Sequence, residues 1–247
     1  MSLLLLSVIV LCVSSVAGAQ VPVLTPAESL ATFERPNGAL LRPGTLRYQL
    51  SLRKPNGEAV SLGTRTVVVS DSSLGGAPGW LIAESRAGTA VPTTDSVYLA
   101  RGDLWPARWS ATIGRAQLGA SFTRDSMFGA VQGYQGRTSF ALPVNAGSLL
   151  SAGMVERLVE LLPLQVGYRT AATLILVDGA APHAVAAELV VDREERIDVA
   201  GGATECWVLA VRAGALEERL WVSKQGARVV RTEQATATGL VISVLLP

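Results

Sequence analysis

The sequence predicts a mainly β protein, built as a sandwich, a barrel or a large curved antiparallel sheet. Three observations carry that prediction. Short runs of alternating apolar and polar residues recur every eight to twelve residues along most of the chain. Clusters of Gly, Pro, Asn and Ser separate them, as tight turns require. No sustained alternation of strand and helix occurs, which sets aside a doubly wound nucleotide-binding fold.

The elements follow in order. Residues 3–13 form an apolar run broken only by Ser7, shorter than the roughly 20 residues a membrane span needs. Ala17-Gly18-Ala19 fits the A-x-A cleavage pattern, so a signal peptide is expected over residues 1–19. The run has no Lys or Arg before it, and a buried strand or a retained anchor is the alternative. Export places the mature chain in the periplasm or outside the cell. Cleavage removes Cys12, and Cys206 then stands alone, so no disulfide within the chain is expected. No later stretch is apolar and long enough for a transmembrane span.

Residues 20–43 are rich in turn formers (Pro22, Pro26, Pro36-Asn37-Gly38, Pro43) and read as an extended arm, with a short helix around residues 27–33. A single β-rich domain over residues 44–247 follows. In its first strand Leu46, Tyr48, Leu50 and Leu52 alternate with Arg47, Gln49, Ser51 and Arg53. Pro55-Asn56-Gly57 marks a hairpin. The next strand covers residues 60–70 and runs into a Ser/Gly-rich turn at 71–79. Further strands are expected at 80–86, 96–101, 107–113, 116–123, 135–142, 168–177, 184–192, 204–211, 217–223, 227–232 and 240–246. One helix interrupts them at residues 148–162. Its apolar stripe is Val155, Leu158, Val159 and Leu162, with Glu156, Arg157 and Glu160 opposite. Ser148 or Ser151 can cap its start, and Pro163 ends it.

Chemistry is sparse. Lys plus Arg number 21 and Asp plus Glu 20, a net charge of +1, which argues against a nucleic-acid partner. His183 is the one histidine and reads as a loop residue; no G-x-S-x-G elbow accompanies it. One His and two Cys leave no material for a zinc site. Gly75-Gly76-Ala77-Pro78-Gly79 is a turn, not a dinucleotide fingerprint. Adjacent acids in Glu194-Glu195 and Glu217-Glu218 point to opposite faces of a strand, so neither pair converges on a substrate. No catalytic residue, cofactor or metal ligand is assigned. Cys206 reads as a packed small apolar residue. The five tryptophans stand out among only thirteen aromatic residues. Core packing is the default for each. If an open cavity exists, its candidate lining is Trp80, Trp207 and Trp221, with Tyr48, Val155 and Leu158.

Ordered motifs also carry a resemblance. Leu41-Arg42-Pro43-Gly44 leading to Tyr48, then Leu62-Gly63 and Trp80-Leu81-Ile82, resemble the opening of a family of exported bacterial proteins of unknown function. Asp103-Leu104-Trp105-Pro106 is similar to its short leucine-x-proline element, which strands ending near Gly133 follow. Leu161-Leu162-Pro163-Leu164-Gln165-Val166-Gly167 is similar to its helix-to-strand junction, and Ala200-Gly201-Gly202-Ala203-Thr204-Glu205-Cys206 to its next turn and strand. Leu220-Trp221-Val222-Ser223 and Arg228-Val229-Val230-Arg231 resemble its final hairpin, with a departure at Lys224-Gln225, where an acidic turn residue is usual. The resemblance implies a strongly curved antiparallel sheet, a half-barrel with one or two covering helices, similar to the lipoprotein carriers LolA and LolB, which hold acyl chains on the concave face. A shared fold does not fix a shared ligand. The function expected is therefore non-enzymatic binding of a lipid or other apolar small molecule in that face. The alternatives are a structural or interaction module that docks an envelope protein, and a carboxylate-based hydrolase drawing on Asp95, Asp103, Glu217 or Glu218.

Overall fold

The computed structural model describes residues 30–247, apart from residues 90, 135, 151, 178–180 and 200. The signal peptide expected at 1–19 and the first part of the arm lie outside the described residues. In chain order the strands are β1 (Gly44–Arg53), β2 (Ala59–Leu74), β3 (Ala77–Ala87), β4 (Thr93–Ala100), β5 (Pro106–Ile113), β6 (Ala116–Phe122), β7 (Ser126–Gly133), β8 (Gly136–Pro143) and β9 (Ser148–Leu149). The helix α1 (Ala152–Val159) follows, then β10 (Arg169–Leu176), β11 (His183–Val199), β12 (Gly202–Ala213), β13 (Leu216–Ser223), β14 (Arg228–Thr236) and β15 (Gly239–Leu245).

All fifteen strands form one sheet, in the order β8-β7-β6-β5-β4-β3-β2-β1-β15-β14-β13-β12-β11-β10-β9. Neighbours are antiparallel except β9 and β10. The first and last strands pair at the centre, Tyr48 opposite Leu245. The two free edges, β8 and β9, are consecutive in sequence. Pro143 and Ser148 are five peptide steps apart, a reach of at most about 18 Å. Laid flat at ~4.8 Å per strand, the same edges would stand about 67 Å apart. The sheet must therefore curl through most of a turn, and it does so without closing. Both edges are blunted: β9 has two residues and β8 ends in a proline.

Most sequence expectations survive in this sheet, and the departures have local causes. The Asn56-Gly57 hairpin forms, with Gly57 at a positive φ of 87° and its N–H donating to the Lys54 carbonyl (2.9 Å). The turn expected at 71–79 shrinks to Gly75 and Gly76, because β2 and β3 continue pairing from Asp71↔Trp80 out to Leu74↔Ala77. β7 was not expected from the alternation, though the resemblance implied strands ending near Gly133; its inward Met127 and Val131 are separated by Gly129, which weakens the alternation. β11 runs on to Val199, well past residue 192. His183 opens that strand rather than lying in a loop.

The helix is shorter than the expected 148–162. Ser148 and Leu149 are taken by β9, pairing with Thr173 and Leu174 on β10, so Ser148 is no cap; Ser151 is outside the described residues. The described part of the helix expected at 27–33 is extended instead. There Thr32 bridges Ala171, the Phe33 N–H donates to the Ala171 carbonyl (2.6 Å) and the Ala171 N–H to the Ala31 carbonyl (2.8 Å), so the arm continues the sheet edge beside β9.

The arm then crosses to the β4–β5 connection and seals that end of the curled sheet. Arg35 donates to the carbonyls of Leu104 (2.9 Å) and Ser148. Gly38 donates to the Gly102 carbonyl (2.8 Å) and accepts from Trp80 Nε1 (3.0 Å). A Cβ at Gly38 would collide with the Arg101 carbonyl oxygen and lie 2.9 Å from Leu104 Cδ2. Gly38→Ala is therefore expected to destabilise the protein by about 1–3 kcal/mol and to speed proteolysis of the arm. Urea denaturation and limited digestion measure the two effects.

Packing is two-sided. The large core fills the concave side, from Phe33, Tyr48 and Trp80 to Leu158, Leu209 and Val222. A smaller cluster of Ile197, Cys206, Val208, Trp221 and Val230 lies on the opposite face of β11–β14. Cys206 is buried in it, and burial, with Glu205 and Glu195 nearby, pushes its thiol up to about 11. That thiol is held in its unreactive form.

Candidate functional site

Strand parity decides what enters the concave side. On β1 and β2 the inward residues are Tyr48 and Arg65, opposite each other in register. Glu84 on β3 follows, paired with Asp95 on β4. Glu218 on β13 is paired with Gln234 on β14, and Thr232 on β14 with Ser243 on β15. An interior this polar at one level is unusual for a β core.

α1 supplies the other half of the polar layer. Its charged face, which the sequence reads as the solvent side, is buried: Glu156 and Arg157 are 1% and 3% exposed. Arg65 Nη1 donates to Glu156 Oε1 (2.6 Å) and its Nη2 to Glu84 Oε2 (2.9 Å). Arg86 Nε also donates to Glu84 (3.0 Å). Arg157 pairs with Glu160 (2.8 Å) and donates to the Tyr48 hydroxyl (3.1 Å), which in turn donates to the Val229 carbonyl (3.1 Å). Glu160 accepts from the Val229 N–H (2.7 Å). The helix is thus tied to β1, β2, β3 and β14 from inside the curl.

The electrostatics split these acids into two kinds. Burial alone would raise Glu84, but Arg65 and Arg86 hold it below the ordinary carboxylate range. Burial likewise works against Arg65, yet Glu156 and Glu84 keep it above the usual arginine value. Glu160 goes the other way: burial pushes it up to about 7 despite Arg157. Glu218 is also pushed up to about 7, by burial and then by Glu156, with Arg65 opposing. The Glu218 side chain has no hydrogen bond or ion pair among the described residues.

Above this layer is empty space. A cavity of about 540 Å³ has Arg65, Glu84 and Glu218 among its lining, with walls of Leu50, Trp109, Leu118, Val131, Leu174 and Val211. Sites for small molecules span roughly 300–1,000 Å³, mostly apolar with a few placed polar groups. The cavity lies toward the end of the curl where β5 meets β6 and β12 meets β13, as its lining by Ile113, Ala116, Val211 and Leu216 shows. At that rim Val91, Ile113 and Tyr134 are 50%, 48% and 83% exposed.

Of the six residues expected to line a cavity, only Val155 does so. Trp80, Tyr48 and Leu158 are packed in the main core. Trp207 packs at the edge of that core, with Lys224 Nζ 5.8 Å from its ring centroid. Trp221 faces the other side of the sheet, in the smaller cluster. The tryptophan in the cavity wall is Trp109, whose Nε1 donates to Asp95 (3.1 Å). Among the acids weighed for a hydrolase, Asp95 and Glu218 reach the cavity. Asp103 pairs with Arg124 (2.5 Å) and Glu217 with Arg219 (2.9 Å), both at the surface. Among the described residues, no three His, Cys, Asp or Glu side chains converge as a metal site, and no helix is long and apolar enough to cross a membrane.

Fold and cavity together define a β-barrel-like class: a large, curved, unclosed antiparallel sheet around one internal helix. No protein-family model and no curated protein matches the sequence. A solved structure of that class is similar: the β-barrel-like protein of the domain of unknown function DUF1849 from Brucella abortus. The likeness covers 83% of this chain and 96% of that one, with a TM-score of 0.54 at 12% identity. At that identity the likeness is one of fold.

Proposed function

We propose that the protein is a non-enzymatic carrier or binder of an apolar molecule, exported from the cytoplasm, which holds its ligand inside the curled sheet. One observation carries the reading: the cavity of about 540 Å³ with apolar walls, left open above a core that is otherwise packed. A concave space of that size, mainly apolar with a few polar groups, has the dimensions and lining of a small-molecule site. The resemblance to LolA and LolB, and the A-x-A pattern after the N-terminal apolar run, support a ligand of lipid type met in the cell envelope. The exposed rim residues Val91, Ile113 and Tyr134 favour a second reading as a module that docks an envelope partner.

A fluorescent fatty-acid probe tests the first reading. Saturable binding at one site is expected, together with a change in Trp109 emission. Leu118→Trp, which grows a ring into the cavity from β6, should weaken the probe at least about tenfold, equivalent to ~1.4 kcal/mol, while the melting temperature holds. A purified protein that carries no apolar molecule and binds no probe would leave the docking reading in possession.

A further inference from the structure

The cavity is not uniformly apolar, and four of its polar residues form one contiguous recess. Glu218, Gln234, Thr232 and Ser243 sit on three adjacent strands, joined by the register pairs Glu218↔Gln234 and Thr232↔Ser243, and all four line the cavity. Ser243 is 3% exposed and its Oγ has no hydrogen-bond partner. A buried hydroxyl left unsatisfied beside a void is costly unless a ligand completes it. Among the described residues the Glu218 side chain has no cation of its own. Arg65 is committed to Glu156 and Glu84, Arg86 to Glu84, and Arg157 to Glu160.

We propose that this recess holds the protonated amine of an amphiphilic ligand, with the ammonium on Glu218 and the apolar body along the cavity wall. The inference rests on the cavity-binding reading above and names the chemistry of the ligand's polar end. The charge count decides the sign. Glu84, Asp95 and Glu218 line the cavity against Arg65 and Arg86, and Arg65 is shared with Glu156. An anionic head would enter an excess of carboxylate. An ammonium has three N–H donors, and each residue of the recess offers an oxygen acceptor: a carboxylate, an amide carbonyl and two hydroxyls. Such a pair, shielded from water, forms charge-assisted hydrogen bonds. It also supplies the missing partner of Ser243.

The charged groups around Glu218 are Glu156 on α1, Arg65 on β2, and Glu84 and Arg86 on β3, with Asp95 on β4 lining the same cavity. Burial and Glu156 hold Glu218 partly protonated near neutral pH. Ligand binding should therefore release a proton, visible as a buffer-dependent heat in titration calorimetry.

The test compares dodecylamine, dodecanoate and dodecanol, below their micelle concentrations, on the full mature protein at pH 8. Dodecylamine is expected to bind at least about tenfold tighter than either of the others. In Glu218→Gln that preference should vanish, the amine binding no tighter than the alcohol, with circular dichroism confirming the fold. Dodecanoate binding as tightly as the amine in the unsubstituted protein overturns the proposal, and so does a preference that survives in Glu218→Gln. If none of the three binds, the cavity reading itself fails.

Discussion

Arg65→Ala is expected to destabilise the protein by about 3–5 kcal/mol, the cost of stranding charge in a low-dielectric interior. Arg65 is 3% exposed and is the shared partner of Glu156 and Glu84. Removing it leaves two buried carboxylates short of a cation, Glu156 on α1 with Arg157 at 3.5 Å and Glu84 on β3 with Arg86 at 3.0 Å. Typical domains are stable by only 5–15 kcal/mol, so the loss should be plain in the urea midpoint at neutral pH. The same logic predicts a rescue. Arg65→Met combined with Glu156→Gln and Glu84→Gln removes the charges together, and most of the lost stability should return, because an ion network costs nearly as much to bury as it returns. A loss below about 1 kcal/mol for Arg65→Ala would mean that the layer is hydrated and behaves as a surface pair.

The second large effect is one of pH. Glu160 and Glu218 are both raised from 4.5 to about 7 in the folded protein. A raised carboxyl favours the folded state while protonated; that contribution is full below 4.5 and is lost as pH rises through 7. Stability should therefore fall between about pH 5 and pH 8. Glu84 has the opposite sign, supporting the fold above the ordinary carboxylate range and failing on acidification. At ~1.4 kcal/mol per pH unit, Glu218 alone accounts for up to about 3 kcal/mol. Glu218→Gln should be more stable than the parent by up to that amount at pH 8, with the advantage disappearing near pH 5. Unfolding free energies at the two pH values check this, and parallel curves for parent and variant would refute it. A residue whose removal stabilises the empty protein is one retained at a cost to stability.

How much of this could be read from the sequence depends on distance along the chain. The alternation of Leu46, Tyr48 and Leu50 gives β1, and Asn56-Gly57 gives its hairpin, because strand faces and turn geometry are local properties. β7 escaped because Gly129 interrupts its apolar face. For α1, periodicity separates two faces but does not say which is wet; Glu156 and Arg157 are buried by partners 91 and 109 residues away, Arg65 and Tyr48. The tryptophans divide between core and cavity for the same reason. A shift of one residue moves a side chain to the other face of a sheet, so Trp109 lines the cavity while Trp221 sits on the far side. The pair Glu217-Glu218 was legible as two opposite faces, and only the fold tells which of them is inside.

The pairing of first strand with last has a kinetic meaning. Of the fourteen neighbour pairings among the described strands, thirteen join strands consecutive in the chain, and β1 with β15 alone joins its two ends. Folding can proceed as two independent meanders, each accumulated hairpin by hairpin with little loop entropy to overcome. The long-range closure is concentrated in a single seam, where Tyr48 meets Leu245 and Arg53 meets Leu240. Internal α1, anchored through Glu156 to Arg65 on one side of that seam and through Glu160, just past its last turn, to Val229 on the other, acts as the clasp that holds the two meanders together once they meet.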